Sequence, residues 1–248
     1  TDSTNLNGAR GIAVSGNYAY VVSYVSDSLT VVDISDPTAP AIAGSGSGVL
    51  TDSTNLDYAS GIAVSGNYAY VASYNADSLT IIDISDPTAP AIAGSGSGVL
   101  TDSTNLNGAR GIAVSGNYAY VASSNSNSLT IIDISDPTAP AIASSGSAVI
   151  TNSTNLDNAY RVAVSGNYAY VVGLYSYEQF VPPEDFETYY AFKLSTIDIS
   201  DPSSMSITST ETGGGSPDSI NPTIAVLGDY VYATEGYYLN VYDISTPS

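Results

Sequence analysis

Few side chains in this sequence could carry out covalent chemistry, and their types limit what that chemistry could be. The chain of 248 residues contains four Lys and Arg together, 24 Asp and Glu, no His and no Cys. Without imidazole or thiol groups it has no zinc site of the usual kind, no histidine base and no cysteine nucleophile. Carboxylates, guanidinium groups and tyrosine hydroxyls are the remaining candidates.

Acidic side chains that occur only once along the chain are concentrated in residues 174–194. Glycoside hydrolases need two carboxylates of this kind, one acting as an acid and the other as a base or nucleophile. Most other acids recur in every repeat, whereas a catalytic residue is needed once. We therefore favour a protein without enzymatic activity, and a carbohydrate-active hydrolase that uses the carboxylates of the 174–194 loop is the alternative.

Arginine and tyrosine side chains are the second group of candidates. Arg10, Arg110 and Arg161 stand near the start of equivalent segments, although Arg161 is one position out of register with the other two. They fit either a cluster that recognises a carboxylate or, as we favour, solvated residues that balance nearby Asp. Tyrosines could stack on sugar rings or contact a cation-bearing partner. The candidate ligand-binding residues are Arg10, Tyr24, Tyr58, Tyr74, Arg110, Tyr160, Arg161, Tyr175, Tyr177, Glu178, Glu184, Asp185 and Glu187.

A short acidic motif is the one candidate for a metal site. Asp2, Asp52 and Asp102 each stand in the sequence TDSTNL, which offers hard oxygen ligands at short spacing, as Ca²⁺ prefers. Asp and Asn are also ordinary turn residues, so a purely structural role is equally open. Calcium is the single cofactor that the sequence suggests.

Repetition along the chain indicates how these residues are positioned. Residues 1–50 recur almost unchanged at 51–100 and 101–150, a fourth copy at 151–215 carries an insertion at 174–194, and a diverged fifth copy occupies 216–248. A fixed period of this length is typical of a repeat architecture. We expect the five units to form a single domain spanning residues 1–248.

Each unit has the pattern of a small antiparallel sheet. GIAVS (11–15) and YAYVVSY (18–24) flank Gly16-Asn17, which is a two-residue hairpin signal. SLTVVDIS (28–35) follows, DPTAP stops it, and AIAGSGS (41–47) is a weaker fourth strand. Both faces of the middle strands are apolar or aromatic, so each sheet needs a neighbour on each side. The fold class is all-β, a β-propeller of five four-stranded blades whose last blade is incomplete.

The same segments resemble the LVIVD-repeat family of β-propellers. That family pairs a G-[ND]-Y-[AV]-Y-V hairpin with an L-x-[IV]-[IV]-D-[IV]-S-[DT]-P strand and turn. The matching pairs here are 16–21 with 29–37, 66–71 with 79–87, 116–121 with 129–137, 166–171 with 195–198, and 228–232 with 239–243. The resemblance implies bacterial or archaeal proteins that are often secreted or displayed on the surface, and it implies no catalytic residues.

Differences among the near-identical copies separate two ends of the predicted propeller. Units one to three differ mainly at positions 7, 8 and 10 and at 24–27 of the repeat. These positions fall in loops that emerge on one face of a propeller, which we call the variable face, and the 174–194 insertion belongs to the same face. Loops on a rigid scaffold commonly carry function, although longer loops also change freely without it.

Composition restricts the partners. With a formal charge of −20 the chain would repel nucleic acids and anionic membranes, and no apolar run is long enough to insert into a membrane. Its few charged residues and many polar ones are typical of an exported microbial protein. We expect a structural or adhesive scaffold, extracellular or on a prokaryotic cell surface, that binds a protein or glycan and self-associates into arrays.

Overall fold

Five antiparallel sheets make up the fold. The computed structural model describes residues 2–181, 185–213, 221–235 and 238–245, without the side chains of 179–187 and 235. Blade one contains β1 (Ala9–Ser15), β2 (Tyr18–Ser23), β3 (Ser28–Asp33), β4 (Ala41–Ile42) and β5 (Val49–Thr51). Blade two contains β6 (Ala59–Ser65), β7 (Tyr68–Ser73), β8 (Ser78–Asp83), β9 (Ala91–Ile92) and β10 (Val99–Thr101).

The remaining blades follow the same order of strands. Blade three contains β11 (Ala109–Ser115), β12 (Tyr118–Ser123), β13 (Ser128–Asp133), β14 (Ala141–Ile142) and β15 (Val149–Thr151). Blade four contains β16 (Ala159–Ser165), β17 (Tyr168–Val181), β18 (Asp185–Asp198) and β19 (Ser206–Thr212). Within the described residues, blade five contains β20 (Thr223–Leu227), β21 (Tyr230–Glu235) and β22 (Tyr238–Asp243).

The hairpins between the first two strands of each blade are confirmed. Ser15 pairs with Tyr18, so Gly16 and Asn17 form a two-residue loop. Gly16 has a φ of 56°, in the left-handed region that glycine adopts without steric cost. Equivalent glycines with nearly the same φ begin the other four hairpins, which fixes the register of every blade in the same way.

The fourth strand differs from the sequence prediction. Instead of one strand over 41–47, the chain forms β4 and β5, which both pair with β3 on either side of a turn at Ala43–Gly46. Gly44 and Ser45 have φ values of 61° and 58°, which interrupt the extended backbone. The small residues of this segment therefore form a corner, and the strand resumes at Val49.

Blades pack face to face through two different apolar faces. Tyr20, Leu29 and Val31 of blade one lie against Leu56 and Ile82 of blade two in one buried cluster. The equivalent residues of blades two and three, three and four, and four and five form the corresponding clusters. The prediction that each sheet needs a neighbour on both sides is therefore confirmed at four junctions.

The innermost strands converge around a common axis. β1 contacts β6, β6 contacts β11, β11 contacts β16, and β16 contacts β20. Near the starts of these strands the backbones come very close, because a Cβ added to Gly111 would lie 2.7 Å from the Cα of Arg161. Glycine at this position permits the close approach. The arrangement is that of a propeller with five blades.

The outer faces of the first and last blades remain exposed. Ile12 and Val14 of blade one are 66% and 62% exposed, and Leu239 and Val241 of blade five are 63% and 51% exposed. Ile81, which has the position of Val241 in blade two, is fully buried. Residues at the same position of the repeat thus differ in burial from one blade to another.

The 174–194 insertion is not a loop. β17 and β18 continue past the other blades as one long hairpin, with Leu174 paired with Phe192 and Glu178 paired with Thr188. Alternating polar and aromatic residues in this segment suit extended pairing. No helix in the described part of the chain is long and apolar enough to cross a membrane.

Aspartates at the end of each third strand hold the following turn. Asp33 Oδ1 accepts a hydrogen bond from the backbone N of Ser35 at 2.8 Å, and Asp36 Oδ1 accepts one from the backbone N of Thr38 at 2.9 Å. Hydrogen bonds from the Ser35 side chain and backbone lower the pKa of Asp33, and those from Thr38 lower the pKa of Asp36. Aspartates repeated in every blade thus have a structural role in these turns.

The junctions predict a contrast between equivalent residues. Ile81→Ala should lower the free energy of unfolding by about 2–5 kcal/mol, because it leaves a cavity in a buried junction. Val241→Ala, at the same repeat position on an exposed face, should cost less than about 1 kcal/mol. Urea unfolding of the two variants measures the difference, and equal costs would show that the blade-five face is buried in solution.

The repeated aspartates predict acid sensitivity. Because their pKa is lower in the folded chain, ionised Asp33, Asp83 and Asp133 stabilise the fold above the unfolded pKa of about 3.9. That contribution is lost as the pH falls through the folded pKa. The triple Asp→Asn variant should therefore lose less stability than the parent chain between pH 5 and pH 2.5. Thermal melts across this range test the prediction, which parallel curves would contradict.

Candidate functional site

A β-bulge at the start of each innermost strand positions the central side chains. Ala9 pairs with Ser23 and Gly11 pairs with Val22, so one residue between them is extra. The same irregularity occurs in blades two, three and four. The extra residues are Arg10, Ser60, Arg110 and Tyr160. Bulges re-aim a side chain relative to the regular alternation of a strand, and here they occur where the strands converge.

Arg161 enters the same region from a different position. It follows the bulge and replaces the glycine found at 11, 61 and 111, as the offset in the sequence alignment indicated. Its Nη1 donates to the carbonyl oxygen of Tyr160 at 3.2 Å and to that of Arg110 at 3.4 Å. Tyr160 takes the bulge position of Arg10 and Arg110, so the fourth blade supplies both a tyrosine and an arginine.

The three guanidinium groups pack against tyrosine rings. The Cζ of Arg110 lies 4.3 Å from the ring centre of Tyr74 and 4.9 Å from that of Tyr160. Arg161 lies 4.7 Å from the ring centre of Tyr160. Arg10 lies 5.2 and 5.3 Å from the ring centres of Tyr24 and Tyr58. All these distances are within the range of cation–π attraction.

The tyrosines also contact one another. The ring centres of Tyr24 and Tyr58 are 4.6 Å apart, and those of Tyr58 and Tyr74 are 5.4 Å apart. The Nη2 of Arg10 donates to the Tyr160 hydroxyl at 3.3 Å, which in turn donates to Asn221 Oδ1 at 2.8 Å. Arg10, Arg110 and Arg161 with Tyr24, Tyr58, Tyr74 and Tyr160 thus form one connected group, which we call the Arg–Tyr cluster.

One member of the Arg–Tyr cluster has a strained backbone. Tyr58 has a φ of 57°, whereas Gly8 and Gly108 occupy this position in the units on either side. A bulky residue with a left-handed φ is a genuine outlier, and such strain is concentrated at functional sites. The backbone N of Tyr58 donates to Asp27 Oδ1 at 3.1 Å, a bond from the preceding blade that helps to hold the conformation.

The arginines are not solvated residues that balance nearby Asp. All three are half-buried. Their hydrogen bonds in the described part of the chain go to hydroxyl and carbonyl oxygens, including one from Arg110 Nε to Ser124 Oγ at 3.1 Å. That expectation was wrong: the bulges at Arg10 and Arg110, and the next position at Arg161, place the three guanidinium groups beside tyrosine rings.

Burial and mutual repulsion act on the charges of the cluster. Burial lowers the pKa of Arg161, the Tyr160 hydroxyl opposes this, and the charges of Arg10 and Arg110 lower it further. For Arg10, burial also acts to lower the pKa, but interactions with the Tyr58 and Tyr160 hydroxyls raise it overall. The three guanidiniums are therefore close enough to influence one another.

Two cavities open beside the Arg–Tyr cluster. One has a volume of about 440 Å³ and is lined by Arg10, Arg110, Tyr160, Tyr175 and Tyr190 among others. The second, of about 370 Å³, is lined by Arg10, Tyr24, Tyr58 and Arg161 among others. Arg10, Tyr160 and Asn221 line both, so the cavities are adjacent, and we call them the two lobes of the site. Their sizes are in the range of small-molecule sites.

The long hairpin of blade four supplies one wall. Leu174, Tyr175 and Ser176 line the larger lobe. Tyr177 lies further along the hairpin, with its ring centre 6.0 Å from that of Tyr175, and Glu178 is exposed beyond it. The side chains of Asp185 and Glu187, and the whole of Glu184, lie outside the described residues. Among the described residues that line either lobe, Asp157 is the only carboxylate.

Several residues of this site were not predicted from the sequence. Asn221, Asp157 and Asn158 line the larger lobe, and Ser124 holds Arg110. Asn158 could have been found, because it shares the repeat position of Tyr58. Asn221 gave no signal, since the diverged fifth unit has no close counterpart of the segment that precedes its first strand.

The predicted calcium ligands form local turns. Asp52 Oδ1 accepts hydrogen bonds from the backbone N of Thr54 and of Asn55, at 2.9 and 3.0 Å, and Oδ2 accepts one from Asn55 Nδ2 at 2.8 Å. Asp2 and Asp102 make equivalent bonds. Burial acts to raise the pKa of Asp52, but these hydrogen bonds lower it overall. No group of three acids suited to a metal occurs among the described residues, and calcium binding stays a prediction.

Comparison with known proteins agrees with the fold. The LVIVD repeat model matches residues 8–47, 57–97, 108–146, 158–174, 188–210 and 222–248. The chain belongs to the LVIVD repeat family. The comparison with curated proteins found no match.

Solved structures of low sequence identity share the architecture. A Bacteroides uniformis protein provisionally named as a 6-phosphogluconolactonase aligns with a TM-score of 0.64 and 16% identity over 94% of this chain and 65% of its own. A Lactobacillus plantarum protein aligns with 0.62 and 13% over 95% and 67%. A periplasmic gluconolactonase from Pseudomonas aeruginosa aligns with 0.56 and 12% over 96% and 71%. This LVIVD repeat chain thus spans about two-thirds of these proteins, and the likeness concerns the fold.

Calcium binding has a direct test. If the TDSTNL motifs bind calcium, added Ca²⁺ should raise the melting temperature and EDTA should lower it again, because a ligand of the folded state stabilises it. The Asp52→Asn and Asp102→Asn double variant should lose this response. Asn152 Oδ1 already accepts the equivalent bonds from Thr154 and Asn155, so the turns should survive the change. A melting temperature that is the same in Ca²⁺ and EDTA would contradict the prediction.

Proposed function

We propose that this protein is a non-enzymatic binding scaffold, extracellular or on the cell surface, that holds a glycan or protein at its variable face. One observation carries the proposal: positions that differ between the repeats converge on the two adjacent lobes. Tyr24 and Tyr58, from two different blades, line one lobe and contact each other, and Tyr58 also contacts Tyr74. A rigid propeller presents such a surface without conformational change.

The chemistry of the surface favours binding over hydrolysis. Tyrosine supplies a large rigid area with a polar end, which suits recognition of sugars and protein side chains. A glycosidase needs two carboxylates about 5–10 Å apart across the scissile bond. Asp157 is the only acid lining the lobes in the described part of the chain, and Glu178 is exposed on the hairpin beyond them.

The composition of the chain and its repeat family support an extracellular setting. Few charges, many Ser, Thr, Asn and Gly residues and a repeat of this family are all typical of exported microbial proteins. The lactonases with a similar fold are at most 16% identical to this chain, so their names do not transfer an activity.

A screen for binding and turnover tests the proposal. Labelled protein should retain members of a glycan and surface-protein panel, and the retained glycans should be recovered without cleavage. Tyr58→Ala combined with Tyr74→Ala should weaken retention about tenfold or more, because ring contacts of this kind contribute ~1 kcal/mol each. Thr88→Ala combined with Thr138→Ala, in turns between the third and fourth strands, is the matched control and should retain the same ligands. Cleavage of a retained glycan, or binding that survives the tyrosine changes, would overturn the proposal.

A further inference from the structure

The Arg–Tyr cluster concentrates positive charge in a strongly acidic protein. The chain has four cationic residues against 24 acidic ones, and three of the four are Arg10, Arg110 and Arg161. Like charges that are brought together and partly buried cost free energy unless an anion accompanies them. No described carboxylate bonds to any of the three, so within the described part of the chain no anion accompanies these charges.

Arg10 carries a donor with no acceptor among the described residues. Its Nη1 is buried and has no hydrogen-bond partner, while its Nη2 reaches the Tyr160 hydroxyl. A buried donor of a charged group that lacks an acceptor is costly, and most such groups in native proteins are paired. Arg10 lines both lobes, so an acceptor that enters the cavity lies beside its side chain.

The tyrosines orient the arginines without using up their donors. Cation–π contacts occupy the flat faces of a guanidinium, whereas its five N–H groups point outwards in the plane. Tyr74 and Tyr160 hold Arg110 in this way, and Tyr24 and Tyr58 hold Arg10. The planar edge of a guanidinium matches a carboxylate in a bidentate arrangement. Arg161 differs, because it donates to main-chain carbonyl oxygens and so positions Arg110 and Tyr160.

The size of the site and the charge of the protein restrict the anion. Lobes of about 440 and 370 Å³ have room for one sugar-sized body. The long-range field of a chain with charge −20 opposes every anion, and the opposition grows with the charge of the ligand. Among anions, a monoanion is repelled least by this field, and its carboxylate can accept the same short hydrogen bonds from the arginines. A sugar ring could also stack on Tyr24 or Tyr58, which line the smaller lobe.

We infer that the Arg–Tyr cluster binds a small monocarboxylate the size of one sugar acid, with Arg10 and Arg110 contacting its carboxylate. The inference rests on the proposed binding function and specifies its ligand class. The carboxylate can belong to a free sugar acid or to the terminal residue of a glycan. Arg161 is a positioning residue in this arrangement.

Calorimetric titration with D-glucuronate tests the inference, with methyl glucoside and glucose 6-phosphate as the neutral and dianionic probes. D-glucuronate should bind more tightly than either. Arg10→Gln and Arg110→Gln should each weaken its binding about 10- to 100-fold, the value of one charge-assisted hydrogen bond. Asn117→Asp is the control for net charge, because it also makes the charge more negative by one, in a hairpin turn outside the cluster where blade five already has Asp229. It should change the affinity less than twofold.

The stability of the variants separates recognition from a structural role. Arg10→Gln should melt at the same temperature as the parent chain or higher, because it removes a buried donor without a partner. A large drop in melting temperature together with unchanged glucuronate affinity would show that Arg10 is structural and would overturn the assignment. Arg10→Lys keeps the charge but loses the fork, so it should bind more weakly than the parent chain and more tightly than Arg10→Gln.

Further arms of the experiment distinguish the source of the carboxylate and the two proposals. An oligosaccharide that ends in glucuronate and binds at least as tightly as the free acid would identify a glycan terminus, and weaker binding would identify the free acid. If neither carboxylate probe binds while neutral ligands from the panel do, the ligand class is wrong and the scaffold function stands. If the carboxylate probes bind and are chemically converted, the inference stands and the non-enzymatic function fails.

Discussion

Burial of both faces of the central sheets is the constraint on which this structure depends. An antiparallel sheet with one polar face can exist alone against a single partner, but the middle strands here alternate two apolar sets. Tyr20 and Val31 lie in the junction with the following blade, whereas Val71 and Ile82 face the preceding one. Each blade therefore requires a neighbour on either side, and repetition of one sequence satisfies that requirement at every junction.

The same packing creates the candidate site at the axis. Because the blades stack closely, their innermost strands meet, and glycine at positions 61 and 111 leaves space for the neighbouring backbone. The bulge just before each glycine then directs a side chain away from the crowded junction. Arg10 and Tyr160, which are 150 positions apart in the chain, come into hydrogen-bond contact as a result. The Arg–Tyr cluster is thus a consequence of how the strands converge.

The sequence predicted those features that are local or repeated. Gly16-Asn17 indicates its hairpin because the required backbone conformation belongs to the residues themselves, and five copies of the apolar pattern indicate five blades. The bulges were not predictable, since they arise from the convergence of strands that are far apart in sequence. The long hairpin was also missed, because alternating Tyr, Glu and Phe residues look like a variable loop until the pairing of Leu174 with Phe192 is known. Arg161 shows both limits: its offset was visible, but its contact with the carbonyl of Arg110 was not.

A connection between neighbouring blades has a consequence for how such a protein can diversify. Asp27, Asp77 and Asn127 each accept a hydrogen bond from the next blade, at Tyr58, Gly108 and Asn158 respectively. The donor is in every case the backbone N–H and never the side chain. The bond therefore does not involve the side chain, and a tyrosine, a glycine and an asparagine, each with a positive φ, are all accommodated. A duplicated unit can therefore acquire a new side chain at this position and keep its hydrogen bond to the preceding blade.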